Sequence, residues 1–451
     1  MKSIQVRLIE ASLVFILLVP CAYADSSLLK MLEGSSKAPA VSGLQISTMK
    51  GGKAQDHFAF GVAQAGVHRV VPLRADHRIR VASVSKIFVA MAVLALVEAQ
   101  HFSLDDDASN LLGWKFRNPE FPNAPITVRS LLSHTSSVRD GNRYFIAAGE
   151  GELRDFFDPG KRLWADGGHW ASGPRQVPGK YFTYANLNFG VLAEIIERIS
   201  NQRFDLFMID RIFDPLAIKA RFNPCDIPRP LLATTYRKQN AAGLWDVNGP
   251  WLPQVDGPDV SCFYGMLEHP NGIKFLEDYK LGSNATLFSP QGGLRASSSD
   301  LIATMSLLAN GGLVDETRVL EKESVEALLS PAWELNLQED NGITSGEAAP
   351  GGSRDRLMTS YGLSIHRIDM RAWGFTKGPA LLLGHLGRAY GVLSFALYDP
   401  ISKDGIAMII SGVANDPFLA PGHSPLARLE ENILQWWIKY RDKAGGETNS
   451  N

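Results

Sequence analysis

Residues 80–97 read RVASVSKIFVAMAVLALV, a short polar stretch that runs directly into a long apolar one. From Lys86 to Gln100 the chain is apolar almost all round, which is typical of a helix buried on every side. Ser83 and Lys86 stand three residues apart, where a strand-like segment at 77–81 gives way to this helix. Because residues at that spacing share a helix face, the pattern predicts a hydroxyl and an amine side by side at the mouth of the helix.

This pairing is chemically useful, because a serine hydroxyl is a poor nucleophile until a base removes its proton. A lysine drawn into the mouth of a buried helix loses solvation, which lowers its pKa toward that of a usable base. The same spacing occurs at Ser27–Lys30 and Ser47–Lys50, but the second pair lies in a strand, where such residues face opposite sides. The alternative is that Ser83 only caps the helix and Lys86 is solvated, and the pair alone favours this alternative.

The composition narrows the class of protein. The chain has 451 residues, of which 45% are hydrophobic and 20% charged, with 45 basic and 47 acidic residues and a net charge of −2. This is ordinary for a folded chain and gives no electrostatic basis for binding nucleic acid or an anionic membrane. The sequence lacks G-x-S-x-G, H-E-x-x-H, C-x-x-C and the P-loop motif, and its histidines show no ligand spacing, so neither a metal nor an organic cofactor is expected.

The first residues predict an export signal. Lys2 and Arg7 precede the apolar run ASLVFILLVP at 11–20, and Ala22-Tyr23-Ala24 fits a cleavage site, so we expect a signal peptide over 1–24 and a secreted or periplasmic protein. No later segment is long and apolar enough to span a membrane.

Three cysteines leave two questions open. Cys21 invites a lipoprotein interpretation, which the preceding proline disfavours. After cleavage Cys225 and Cys262 remain, and they either form a disulfide or stay free thiols, because sequence spacing does not fix the distance between them.

The order of predicted elements defines the fold class. We expect strands over 40–64 around Gly51-Gly52, helices near 127–134, 187–200, 203–213 and 298–308, a surface loop at 338–357, strands at 360–366, 380–386, 391–398 and 405–413, and a helix at 424–440. This order predicts an α/β (α+β) fold, in which an antiparallel sheet from both termini is flanked by helices and a helical lobe comes from the middle. After the signal we expect one domain over 25–446, with an α/β lobe at about 25–85 and 290–446 and a helical lobe at about 86–289. A cleft between the lobes would hold a small-molecule site.

Two further motifs carry a family resemblance. Tyr184-Ala185-Asn186 precedes an apolar helix, and Gly384-His385-Leu386-Gly387 lies on a late apolar strand. With Ser83 and Lys86, in this order, they resemble the serine β-lactamase and penicillin-binding superfamily, in its class C-like branch. The stretches LLSHTSS at 131–137, PGKYFTYAN at 178–186 and GGLRAS at 292–297 are also similar to that family. The resemblance covers about 40–440 and is weakest at 223–290 and 338–357.

The resemblance implies a β-lactamase/transpeptidase-like fold and catalytic roles. Ser83 would be acylated, Lys86 would take or relay its proton, and Tyr184 would share that task. A phenol acts as a base only if nearby cations hold its phenolate, and Lys86 and a protonated His385 are the expected partners. Taken singly, Tyr184 could instead be a half-buried aromatic and His385 a strand histidine, while His134 is expected to be structural.

The resemblance also implies substrate-binding residues. Asn186 would donate to a substrate amide and steady Lys86, although alone it could simply cap the helix. The strand His385–Gly387 would line the site, and the backbone N–H groups of Ser83 and Arg388 would form the oxyanion hole.

One departure bears on the substrate. Leu386 stands where the family has a hydroxyl that binds a substrate carboxylate, although the Arg388 side chain would restore that contact if it turned into the cleft. We therefore expect a serine hydrolase that acts through an acyl-enzyme on a D-amino-acid peptide or cell-wall-type amide. The alternatives are a carboxylesterase, a weak class C-like β-lactamase, or a non-catalytic scaffold of the same fold. The expected partner is a small-molecule or peptide substrate, and the oligomeric state is left open.

Overall fold

The computed structural model describes residues 41–65, 70–257, 279–347, 354–417 and 422–446, together with Leu28 and Leu276. Its helices are α1 (Ser85–Glu98), α2 (Ala108–Leu112), α3 (Val128–Leu132), α4 (Leu187–Ser200), α5 (Phe204–Met208), α6 (Ser298–Ala309), α7 (Lys322–Leu329) and α8 (Arg428–Gly446). Its strands are β1 (Gly43–Lys50), β2 (Lys53–Ala65), β3 (Val70–Pro72), β4 (Ile79–Arg80), β5 (Thr235–Lys238), β6 (Trp251–Val255), β7 (Arg295–Ala296), β8 (Leu313–Val314), β9 (Thr317–Arg318), β10 (Trp333–Glu334), β11 (Ser360–Tyr361), β12 (His366–Asp369), β13 (Leu381–Ala389), β14 (Val392–Tyr398), β15 (Gly405–Ile410) and β16 (Gly412–Val413). The predicted signal at 1–24 and Cys262 lie outside the described residues.

Both ends of the chain contribute to one large antiparallel sheet. The sheet has nine strands in the order β10-β11-β12-β13-β14-β15-β1-β2-β3. β1 pairs antiparallel with β15, so that Leu44 lies opposite Ile410 and Met49 opposite Gly405. The predicted sheet from both termini, flanked by helices, is confirmed.

The middle of the sheet is covered on both faces. Every residue of β14 and β15 is buried, which explains their unbroken apolar runs VLSFALY and GIAMII. On one face Leu44, Ile46 and Phe395 share a core with Trp437 of α8. On the other face Ala407 and Ile409 share a core with α1, α4 and α6. The sheet therefore holds the strand β13 rigidly between two packed layers.

Helix α1 starts from an anchored turn. Its residues are buried from Ser85 through Leu94, as its all-round apolar sequence predicts. Just before it, β4 pairs with β7, and the Val81 N–H donates to the Leu294 carbonyl at 2.9 Å. The chain is thus fixed on both sides of the segment that carries Ser83.

Three predicted strands differ from the structure, and one of them, 405–413, is divided into β15 and β16, which belong to different sheets. The predicted strand at 360–366 is divided into β11 and β12, because the Gly362 N–H bonds to the Ile365 carbonyl at 2.8 Å and Ser364 has a left-handed φ of 63°. The resulting turn allows the two short strands to pair with each other. The predicted strand at 77–81 is shorter and covers Ile79–Arg80.

Two other findings concern the cysteines and the membrane. Cys225 takes part in a disulfide, and its predicted alternative as a free thiol is wrong. Within the described residues, no helix combines the length and apolar composition that a bilayer span requires.

Candidate active site

Ser83 lies in a single turn of 3-10 helix, Ala82–Val84, that leads straight into α1. Ala82 has a φ of 47°, in the left-handed region that costs a non-glycine residue on the order of 1 kcal/mol or more. The turn is held by Ser85, whose Oγ donates to the Ala82 carbonyl at 2.6 Å and accepts from the Leu294 N–H at 3.1 Å. The structure therefore fixes Ser83 in a turn that the local sequence would not hold alone.

Lys86 is completely buried directly beside this serine. Its Nζ lies 3.0 Å from Ser83 Oγ, 2.8 Å from Asn186 Oδ1 and 2.7 Å from the Gln291 carbonyl. Burial lowers the pKa of Lys86 to about 7, although the charges of Glu347 and Asp140 act in the opposite direction. The alternative of a solvated lysine is wrong, because the Lys86 side chain is buried. Near pH 7 a large share of its amine is neutral and faces the Ser83 hydroxyl.

Tyr184 completes the group around Ser83. The Tyr184 phenol interacts with the Ser83 side chain, and Lys86 Nζ lies 4.9 Å from the centre of the phenol ring. Burial and the charge of Glu347 raise the pKa of Tyr184 well above its usual value, more than the interaction with Ser83 lowers it. The phenol is therefore protonated, so it can relay a proton, whereas the predicted phenolate base does not fit this site.

His134 positions the segment that carries Tyr184. Its ring stacks on the Tyr184 ring at 4.3 Å between centroids, and its Nδ1 accepts from the Ala185 N–H at 3.1 Å. The Thr183 N–H donates to the His134 carbonyl at 2.9 Å. Burial and the charge of Lys86 lower the pKa of His134 well below its usual value, so the ring is neutral. These contacts agree with the structural role predicted for His134.

Asn186 links the lysine to two carboxylates that the sequence did not reveal. It stands at the N-cap of α4, but its Nδ2 donates to Asp140 Oδ2 at 3.0 Å and to Glu347 Oε1 at 2.7 Å. The helix is capped by Asp140 instead, whose Oδ1 accepts from the Leu187 N–H at 2.9 Å. The interpretation of Asn186 as a simple cap is therefore wrong.

The two carboxylates differ in how well the sequence could have shown them. Burial and the nearby Glu347 raise the pKa of Asp140 to about 6. Asp140 follows the family-like stretch at 131–137 closely, so its position was an available signal. Glu347 lies in the stretch 338–357, which was predicted as a surface loop and gave no such signal. The described part of that stretch reaches the site.

Gly387 explains how β13 passes close to the nucleophile. A Cβ at this position would lie 2.6 Å from the Val81 carbonyl oxygen, 3.1 Å from the Ser83 backbone nitrogen and 2.4 Å from Ser394 Oγ. Distances below 3.0 Å are not tolerated by a real Cβ, so a side chain here would push the strand away from the serine. A glycine is required by the close approach of the two backbones.

His385 is neutral, contrary to the prediction of a protonated ring. Its Nδ1 lies 2.5 Å from the Leu386 carbonyl, which can only accept, so Nδ1 carries the proton. Its Nε2 therefore accepts from the Tyr361 hydroxyl at 3.0 Å. Burial, together with His366 and Lys86, lowers the pKa of His385 well below its usual value. Since both nitrogens are occupied, the ring contributes shape to the site and does not act as a cation.

The Arg388 side chain does not turn into the cleft as one prediction allowed. Its guanidinium forms a buried ion pair with Glu430 of α8. The Glu430 carboxylate also accepts from the Ala427 N–H at 2.8 Å at the start of that helix. The contact by which Arg388 would replace the missing hydroxyl at Leu386 is thus absent from the described structure. The role of the Arg388 backbone N–H in an oxyanion hole stays a prediction.

These groups surround one cleft that is open to solvent. It is lined by Ser83, Tyr184, Glu347, Arg354, Leu357, Met358, His366, His385, Leu386, Gly387 and Arg388. Behind this surface, Lys86 contacts both Ser83 and Asn186. In the part of the chain that the structure describes, no three His, Cys, Asp or Glu side chains gather into a group that could hold a metal ion.

Comparison with known proteins agrees with this geometry. The Beta-lactamase family profile matches residues 30–427. Penicillin-binding protein 4* of Bacillus subtilis (strain 168) is 30% identical over 170 residues, which are 37% of this chain and 34% of that protein. The chain thus matches about a third of the length of that relative.

Solved structures share the fold at low sequence identity. The D-amino acid amidase from Ochrobactrum anthropi SV3 superposes with a TM-score of 0.61 at 17% identity, over 93% of this chain and 99% of that one. EstCE1, a hydrolase with promiscuous acyltransferase activity, superposes with a TM-score of 0.58 at 20% identity, over 86% and 95%. With the family profile extending over most of its length, the chain belongs to the Beta-lactamase family, and it shares its fold with these solved structures.

Proposed function

We propose that the protein hydrolyses an amide or peptide of a D-amino acid through an acyl-enzyme on Ser83. The observation that carries this proposal is the 3.0 Å contact between Lys86 Nζ and Ser83 Oγ, made by an amine whose pKa is about 7. An amine with that pKa accepts a proton near neutral pH and returns it to a leaving group.

In the first half of the reaction, neutral Lys86 takes the Ser83 proton, directly or through the Tyr184 hydroxyl. The freed Oγ attacks the substrate carbonyl carbon, and the backbone N–H groups of Ser83 and Arg388 stabilise the oxyanion. When the C–N bond breaks, the proton held by Lys86 passes to the leaving nitrogen, which departs as a neutral amine or as ammonia. Ser83 is then esterified with the acyl group, and Lys86 is neutral again.

The second half repeats the proton transfer with water. Lys86 takes a proton from water, and the hydroxide that results attacks the ester carbonyl. When the ester bond to Ser83 breaks, the proton on Lys86 returns to Oγ and the carboxylic acid leaves. Tyr184, whose raised pKa keeps it a phenol, donates and accepts in the relay without carrying a net charge.

The choice of a D-amino-acid amide over a β-lactam rests on the charges of the cleft. A β-lactam presents a carboxylate, but Leu386 has no hydroxyl and the Arg388 guanidinium is bound to Glu430. Arg354, the other arginine of the lining, is not without a partner either. The similar proteins include D-amino acid amidases and a D-stereospecific amidohydrolase, which supports an amide substrate. A carboxylic ester is the second candidate, because Leu357, Met358 and Leu386 give the cleft an apolar lining.

One substrate panel tests the proposal. Purified protein is assayed with D-alanyl-D-alanine peptides, D- and L-amino-acid amides, short nitrophenyl esters and a chromogenic cephalosporin. We expect turnover of D-amino-acid amides, with a lower rate on their L-enantiomers and on the cephalosporin. Turnover of the esters alone would refute the amidase and leave the esterase.

We further propose that the chain is exported and cleaved after Ala24. This proposal rests on the charge and apolar pattern of 1–24 and on its A-x-A site. N-terminal sequencing of protein recovered from the periplasm or the medium tests it. A mature chain that starts at Asp25 supports cleavage, and a chain that retains Met1 contradicts it.

A further inference from the structure

Two carboxylates meet at the Asn186 side chain, beside the active-site cleft. Asp140 and Glu347 both accept from the Asn186 amide, whose oxygen in turn accepts from Lys86. Glu347 lines the cleft with Ser83 and Tyr184 and remains exposed to solvent. Within the described residues, neither carboxylate forms an ion pair with a lysine or arginine. The side of the cleft next to Asn186 therefore carries negative charge, while Arg354 belongs to another part of the lining.

A second feature of the cleft is a buried polar side chain that has no hydrogen-bond partner among the described residues. His366 is 2% exposed and lines the same cleft, and within the described part of the chain neither of its ring nitrogens has a hydrogen-bond partner. Leaving such a group buried and unpaired costs about 1–3 kcal/mol, which a bound ligand would recover. Burial and the charge of Lys86 lower the pKa of His366 to about 3, so the ring offers one donor and one acceptor.

The rest of the lining defines what surrounds these polar groups. Leu357, Met358 and Leu386 are each 5% exposed and give the cleft its apolar wall. The side chain of Arg388, which would attract an anion, is engaged by Glu430. A ligand that complements this cleft is cationic near Asn186 and uncharged where it meets the apolar wall and His366.

We propose that Glu347, supported by Asp140, binds the free α-ammonium group of an aminoacyl substrate, whose uncharged side chain lies against Leu357, Met358 and Leu386 within reach of His366. The proposal rests on the hydrolase function proposed above and makes it more specific. An α-ammonium stands one bond from the carbon that carries the scissile carbonyl, so a carbonyl at Ser83 brings it to the neighbouring wall of the same cleft. The enzyme would therefore act on amino-acid amides or on the N-terminal residue of a peptide, and would discriminate against N-acylated chains and C-terminal carboxylates.

The charges also explain why this arrangement does not disable the base. Each carboxylate raises the pKa of Lys86 against the larger effect of burial. A bound ammonium neutralises that negative charge, which favours the neutral amine and hence proton transfer from Ser83. Substrate binding and activation of the nucleophile are thereby coupled through Asn186.

Three matched 4-nitroanilides test the site: D-phenylalanine, its N-acetyl derivative and 3-phenylpropionic acid, which lacks the amine. We expect the wild type to prefer the free amine by about tenfold or more in kcat/KM. Glu347→Gln should lose most of this preference, measured as the ratio of kcat/KM for the free amine to kcat/KM for 3-phenylpropionyl nitroanilide, through a higher KM for the free amine. Glu339→Gln, which removes the same charge from an exposed position nearby, serves as the matched control and should keep the preference.

The outcomes separate the two proposals. Labelling of Ser83 by a fluorophosphonate, measured on the same preparation, reports the hydrolase itself. A protein that is labelled but shows no preference for the free amine, or whose preference survives Glu347→Gln, overturns the ammonium site and leaves the hydrolase intact. A folded protein that is not labelled overturns the hydrolase, and this site with it.

Discussion

A Cβ placed on Gly387 would lie 3.1 Å from the backbone nitrogen of Ser83 and 2.6 Å from the carbonyl of Val81. We expect Gly387→Ala to force β13 away from the nucleophile turn. The backbone atoms it meets cannot rotate aside, so overpacking should cost about 1–3 kcal/mol. Thermal denaturation and the rate of fluorophosphonate labelling measure the two effects. An alanine variant with unchanged Tm and labelling would show that the strand does not approach the serine so closely.

Lys86 should be required for acylation, and its burial should lower the free energy of unfolding at neutral pH. We expect Lys86→Met to reduce the labelling rate by about 10²–10⁴-fold, because it removes the base and keeps the buried volume. In the folded wild type the pKa of Lys86 is about 7, below the usual value of 10.5. Between pH 7 and pH 10.5 the unfolded chain therefore binds more protons than the folded one. The wild type should therefore gain stability as pH rises from about 7 toward 10, while Lys86→Met should not. Denaturant unfolding at pH 6 and pH 9 compares them, and an equal pH dependence would exclude the buried amine.

The pH profile of acylation should rise through about 7. Lys86 must lose its proton before it can accept one from Ser83, so activity is low below that pH. Because Glu347 raises the pKa of Lys86, Glu347→Gln should move the acid limb to lower pH, while Glu339→Gln should leave it in place. Labelling rates between pH 5 and pH 9 measure the limb. An acid limb at the same pH in Glu347→Gln and Glu339→Gln would contradict the electrostatic interaction between Glu347 and Lys86 through Asn186.

The ion pair between Arg388 and Glu430 is expected to stabilise the fold and not to bind substrate. Arg388→Met leaves the buried Glu430 carboxylate without its cation, so we expect a loss of about 3–5 kcal/mol of stability. The KM for uncharged substrates should be unchanged, since the substitution keeps the backbone N–H. The double variant Arg388→Met with Glu430→Met removes both charges and should recover part of the stability. A raised KM with unchanged stability would instead place the guanidinium in the cleft.

Much of the site could be predicted from the sequence, because each motif is formed by residues close together in the chain. The Ser83–Lys86 spacing and the helix behind it predicted a hydroxyl and an amine in contact, and the structure joins them at 3.0 Å. The Tyr184–Asn186 and His385–Gly387 motifs resemble those of a known family, and the structure brings both to Ser83 or Lys86. Helix α4 begins and ends at the residues that its pattern predicted.

The charge states of the site's side chains could not be predicted from the sequence, because they depend on burial and on contacts between segments that are distant in the chain. His385 is neutral because it is enclosed and meets Tyr361, which a turn after β11 brings beside it. Arg388 is held by a helix that starts about forty residues later in the chain. Glu347 lies in a stretch of Gly, Ser and charged residues whose path no periodicity predicts.

Mass spectrometry of the fluorophosphonate-treated protein tests the central claim most directly. The account predicts one adduct per chain, mapped by peptide digestion to Ser83, absent in Ser83→Ala and formed slowly in Lys86→Met. An adduct on another residue, or one that persists in Ser83→Ala, would contradict it.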